Sequence, residues 1–135
     1  MTRTQRSAAH EAGHAVVATL CGLHVLSVRL TCKDPGYYGY TRFRCPESKR
    51  YEVGVTLAAG AAADRINQAG DWGSEEDRCL ALGAGFSKRD WNHLEALARS
   101  LLRGKGKAAW LAITDALMLS DLTGAQVREI VKRYS

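Results

Sequence analysis

Two histidines four residues apart, with a glutamate directly after the first, stand near the start of this chain as His10-Glu11-Ala12-Gly13-His14. On an α-helix, side chains at i and i+4 project from one face, so both imidazoles can reach a single ion. Glu11 lies one residue past His10, close enough to touch a water on that ion without being a ligand. The chemistry served by such a set is metal-assisted hydrolysis. Zinc acidifies its bound water toward neutral pH and polarises a scissile carbonyl. Glu11 would act as the general base that takes the water's proton and passes it to the leaving amine. Short patterns of this kind also arise by chance, and the competing reading is a solvated polar face on an amphipathic helix.

The helical context that the pattern requires is present. Thr2 or Thr4 can cap the start, Ala8 to Leu20 favours helix, and Gly22 can end it. The His-Glu face lies within an Ala/Val surface, which suggests a site walled by core. Residues 24–32 then alternate, with Leu26, Val28, Leu30 and Cys32 on one face and Val25, Ser27, Arg29 and Thr31 on the other. Period two predicts a half-buried strand. Asp34-Pro35-Gly36 is a turn signal and residues 37–43 read as the returning strand of a hairpin. That second strand is expected at a sheet edge, where an extended peptide can add by backbone pairing. Packing of Tyr38 and Tyr40 is the alternative use of the same residues.

Ser48 is expected to cap a helix beginning near Lys49. The run Leu57-Ala58-Ala59-Gly60-Ala61-Ala62-Ala63 suits a helix packed closely on another, and the first helix, with its own Ala and Gly13, is the natural partner. Gly70 to Gly73 breaks the pattern, and Ser74 opens a third helix with Glu75, Glu76 and Asp77 in its first turn. Ser87-x-x-Asp90 resembles a capping box for a helix to about Leu102. A further helix is expected from Ala108 to Leu119. Thr123-x-x-Gln126 caps the last one, which ends in basic residues as the helix dipole prefers. Gly104-Lys105-Gly106-Lys107 lacks the spacing and hydroxyl of a P-loop, so ATP binding gets no support.

A catalytic zinc takes three protein ligands and leaves a position open for water. The sixth position after His14 is Leu20, so an extended pattern with a third histidine there is not met. Asp77 is the choice among the acids, at the start of a helix behind a Gly-rich break. The same spacing lets Asp77 complete a capping box with Ser74, and the residues alone leave both roles open. His93 is the fallback ligand; otherwise His24 and His93 read as surface or packing residues.

At 135 residues the chain suits one domain, 1–135, with a core that needs no disulfides. Hydrophobic content of 46%, charged content of 24% and a net charge of +5 are ordinary for a globular protein. Arg42, Arg44, Lys49 and Arg50 cluster, as do Arg99, Arg103, Lys105 and Lys107. Neither cluster carries aromatic interleaving or a nucleic-acid motif, so no nucleic-acid partner is expected. Cys21, Cys32, Cys45 and Cys79 form no C-x-x-C pair, and neither a secretory leader nor a run of about 18 apolar residues occurs. A cytoplasmic protein with reduced thiols and no membrane span is expected.

Several stretches resemble one family. His10 to Val17, the strand with Gly39-Tyr40-Thr41, Leu57 to Ile66, Gly73 to Asp77 and Leu119 to Val131 look like the protease domain of the FtsH-type AAA+ zinc metalloproteases. They come in that family's order and cover most of the chain. Gly73-Ser74-Glu75-Glu76-Asp77 resembles the family segment whose Asp is the third zinc ligand. By that similarity His10, His14 and Asp77 bind Zn2+, and Glu11 is the catalytic base. Family members also carry membrane spans and an ATPase module that feeds a hexameric protease ring. Both modules are missing from these residues, and the segments between motifs are shortened, notably after Asp77. The resemblance therefore implies a free-standing domain that cuts peptides or unfolded proteins, or one that borrows an ATPase in trans; a homo-oligomer is carried over as an expectation.

The combined expectation is an α+β, mostly helical fold: a helical bundle with a small β-hairpin or sheet flanking the active-site helix. Its expected activity is that of a zinc metalloendopeptidase. The alternative is a weak or inactive protease-like module that binds a protein partner through its strand edge.

Overall fold

Helix α1 (Arg3–Leu20) is the element about which the others pack. Thr2 and Gln5 close its N-terminus reciprocally: the Gln5 amide donates to Thr2 Oγ1 at 3.1 Å, and the Thr2 amide to Gln5 Oε1 at 2.8 Å. Gly22, at φ +78°, supplies the left-handed residue that ends the helix at no steric cost. Every residue from Ala8 to Ala18 is buried, so α1 has no solvent face along its middle. The computed structural model describes residues 1–33, 36–68 and 74–135, and the side chains of all of these except 32, 33, 36–38 and 74.

The chain is a mostly helical α+β fold of six helices and a three-stranded antiparallel sheet among the described residues. Strands β1 (Val25–Lys33) and β2 (Gly36–Phe43) form the expected hairpin. The expected turn at residues 34–35 lies outside the described residues, as do the packing of Tyr38, the break from Gly70 to Gly73 and the Ser74 side chain of the alternative capping box.

The strict alternation expected for β1 is corrected. Pairing runs Val25 with Phe43 and then Ser27 with Arg42, so Leu26 is the extra residue of a bulge. The bulge shifts the phase: Val25 and Val28 are both buried, at 1% and 0% exposure, whereas Leu26 is 40% exposed. A two-residue strand β3 (Leu122–Thr123), too short to be seen as a pattern, pairs on the far side of β1. The order β2-β1-β3 leaves β2 at a sheet edge.

Helix α2 (Arg50–Ile66) lies against α1. A Cβ added at Gly13 would come 3.1 Å from both the Ala59 carbonyl oxygen and the Ala63 Cβ, so the two backbones approach as closely as small residues allow. The start of α2 departs from expectation. Ser48 sits inside a 3-10 turn over Glu47–Lys49, and Lys49 occupies the cap position without a side-chain bond. Helices α3 (Ser74–Gly83), α4 (Lys88–Arg103), α5 (Lys107–Leu117) and α6 (Gly124–Tyr134) complete the bundle. Ser87 with Asp90, and Thr123 with Gln126, form the capping boxes that their spacing predicts. Helix α5 ends two residues before the expected Leu119, which is 90% exposed.

Leu94, Leu102, Ile113, Val16, Val17, Val28 and Val127 fill the core. Trp110 Nε1 donates to the Ala9 carbonyl at 2.9 Å within this core, fixing α5 to α1, and at the surface the exposed Arg65 meets the buried Glu95 at 2.8 Å, joining α2 to α4. No helix among the described residues is long and apolar enough to cross a membrane.

Candidate metal centre

His10 and His14 leave α1 on the side facing α2, and Asp77 reaches them from the first turn of α3, 63 residues beyond His14. Their donor atoms form a small triangle. His10 Nε2 and His14 Nε2 are 3.2 Å apart, Asp77 Oδ2 is 3.1 Å from the second and 3.5 Å from the first. A tetrahedron whose vertices lie about 2.0 Å from a central zinc has edges of roughly 3.3 Å, so the spacing suits three ligands of such an ion. His10 and His14 are only 7% and 4% exposed, which excludes a solvated polar face. His93, the fallback ligand, is exposed on α4 and does not belong to the group, and His24 is exposed before β1.

The outer nitrogens decide what the inner ones offer. His14 Nδ1 lies 2.7 Å from the carbonyl oxygen of Thr56, which can only accept, so Nδ1 carries the proton and Nε2 presents a lone pair. His10 Nδ1 donates to Asp64 Oδ2 at 2.9 Å, which fixes the same tautomer. Both Nε2 lone pairs therefore face the centre of the triangle. A divalent ion placed there would meet both lone pairs and the Asp77 carboxylate.

Helix α2 supplies both outer partners and one absence. Gly60 stands where α2 crosses the two rings, and a Cβ built there would collide with His10 Cε1 and Nε2 and with His14 Nε2. On the other side Glu11, 7% exposed, lies against β2. A Cβ at Gly39 would be 2.8 Å from Glu11 Cγ, so only glycine lets the strand come this near. Glu11 Oε2 is 4.0 Å from His10 Nε2, beside the donor triangle rather than part of it.

The charges agree with the geometry. Burial alone would depress the His10 pKa; its hydrogen bonds to Asp64 and Asp77 and the charges of Glu11 and Asp64 overturn this and push it up to about 10. Burial acts on His14 in the same sense and Asp77 outweighs it, so that pKa is raised too. Burial would lift Asp77, yet the two imidazoles hold its carboxyl well below the usual carboxylate range. The site demands positive charge, met by protons when no metal is bound.

A pH effect follows for the metal-free chain. A histidine with a folded pKa near 10 and an ordinary value of 6.5 stabilises the fold fully below pH 6.5, and this is lost as pH rises toward 10. Chelator-treated protein is expected to show urea midpoints falling steadily across that window. A divalent ion held by the three donors would remove this fall, because metal affinity increases as protons leave the ligands.

Sequence reasoning placed His10, Glu11, His14 and Asp77, and the structure brings all four together. It gives no part in the site to Asp64, the Thr56 carbonyl or Thr41, and reads Gly60 only as one of the small residues of a close helix contact. Only Asp64 left a signal, as a lone acid closing a long run of small residues. No protein-family model matches the chain, and no curated protein matches it.

Proposed function

We propose that this chain is a zinc-dependent endopeptidase acting on peptides or unfolded proteins. One observation carries the reading: three donor atoms 3.1 to 3.5 Å apart, on tautomers fixed from behind, with a buried carboxylate beside them. His10, His14 and Asp77 would hold the ion, and Asp64 and Thr56 would keep the imidazoles aimed. Zinc, when bound, polarises the scissile carbonyl and lowers the pKa of a coordinated water. Glu11 takes the proton from the attacking water and delivers it to the departing amine nitrogen. Strand β2 touches Glu11 and is an outer strand of the sheet among the described residues, so an extended peptide pairing with it would pass the site.

That edge also favours the second reading, a binding module that keeps the metal but does not cut. Purified protein is expected to carry about one zinc per chain and to digest casein or another unfolded protein, with cleavage abolished by a chelator and restored by zinc. Zinc retained without cleavage of any unfolded protein would leave the binding module. A chain that takes up no zinc would remove both readings. An ATPase acting in trans is the alternative arrangement, and it would show as cleavage of folded substrates only when that ATPase is added.

A further inference from the structure

Glu11 is held by a residue that the hydrolytic reading above does not use. Thr41 Oγ1 lies 2.9 Å from Glu11 Oε1 and 3.0 Å from the Glu11 carbonyl oxygen, on the face of β2 that meets α1. A hydroxyl has one proton, so it donates to the carboxylate or to the carbonyl and is anchored between them. The other carboxylate oxygen, Oε2, is the one directed at His10 Nε2, 4.0 Å away.

We infer that Thr41 is a positioning residue for the general base. It occupies one oxygen of Glu11 and leaves the other turned toward the metal position. The strand is built for this. Thr41 pairs with Val28, which is fully buried and is itself paired on its other side with Leu122, so the hydroxyl stands on the best-supported part of the sheet. Two residues before it, Gly39 lets the Glu11 methylenes lie flat on the strand, because any side chain there would strike Cγ. A free glutamate samples many rotamers, and losing that freedom opposes catalysis unless it is lost on folding. Here the clamp between Gly39 and Thr41 fixes the side chain before substrate arrives.

The role presupposes the hydrolytic reading, and the test separates the two. Thr41→Val keeps size and β-branching while deleting the hydroxyl; Thr41→Ser keeps the hydroxyl. Zinc content is expected to stay at the wild-type level in both, and the thermal midpoint of Thr41→Val to fall by only a few degrees, the cost of one buried carboxylate oxygen left without its donor. In Thr41→Val, kcat is expected to fall on the order of 10- to 100-fold, with KM within about twofold, and Thr41→Ser is expected to recover most of the loss. A second readout needs neither zinc nor turnover. In the metal-free chain labelled with ¹³C-glutamate, the Glu11 Cδ resonance is expected to move in Thr41→Val and to return in Thr41→Ser.

A wild-type chain that cleaves, beside a Thr41→Val chain with unchanged kcat and an unmoved resonance, overturns the positioning role and leaves the protease reading intact. A wild-type chain that cleaves nothing overturns the protease reading, and the assigned role as catalytic positioning falls with it. Should Thr41→Val not fold, Thr41→Ala against Thr41→Ser makes the same comparison. Loss of both kcat and zinc together would point to a structural strut and overturn the assignment.

Discussion

Glu11→Gln is expected to hold its zinc at wild-type stoichiometry while cleaving an unfolded protein at least 1,000-fold more slowly, within the range that general-base catalysis supplies. The substitution is nearly isosteric. Thr41 Oγ1, 2.9 Å from Oε1 in the native chain, can donate equally well to an amide oxygen, so the side chain keeps its place. What goes is the basic lone pair on the oxygen near His10 Nε2. The ligands are untouched, because Glu11 lies outside the triangle of donor atoms. Metal analysis and peptide-cleavage rates on the same preparation decide the matter. Zinc retained with undiminished turnover would show that the proton goes elsewhere. Zinc lost would show that Glu11 is a ligand.

Gly60→Ala is expected to weaken zinc binding on the order of 100-fold, the upper end of what the loss of a well-placed outer partner produces. A single methyl there would meet both donor nitrogens, and the helix that carries it cannot withdraw while Gly13 keeps α1 and α2 in contact. The rings would have to part, and a divalent ion needs them together. Gly54→Ala provides the comparison. Its methyl, on the same helix, would press 2.7 Å from Phe86 Cζ and far from the imidazoles in sequence, so it is expected to lower the thermal midpoint while zinc is still bound. Isothermal titration with zinc on both variants, alongside circular dichroism to establish helix content, separates a blocked site from a damaged fold. Gly60→Ala binding zinc as tightly as the native chain would mean that the rings adjust without cost.

The parts legible in the sequence are those set by local spacing. His10, Glu11 and His14 share a face because an α-helix puts them there, and the capping boxes at Ser87 and Thr123 follow from residue types three apart. Asp77 is less legible, because its meeting with His14 spans 63 residues and depends on how α3 docks. Asp64 reaches His10 across 54 residues, and the Thr56 carbonyl is a backbone atom with no signature in the side chain. Gly60 shows why such information is hidden: an empty volume between two helices has no mark in either sequence. The Leu26 bulge belongs to the same class, since it answers to pairing across the hairpin rather than to the alternation of one strand.

Helix α3 has one more consequence. Of residues 75–83 only Ala81 is buried, so the arm that brings Asp77 owes little of its hold to apolar packing. The ion would act as a rivet between that arm and α1, and its departure would loosen the arm while the core around Leu94 and Leu102 stayed whole. Metal supply would then also set how firmly that arm is held, so that an ion bound by His10, His14 and Asp77 would belong to the architecture as well as to the proposed chemistry.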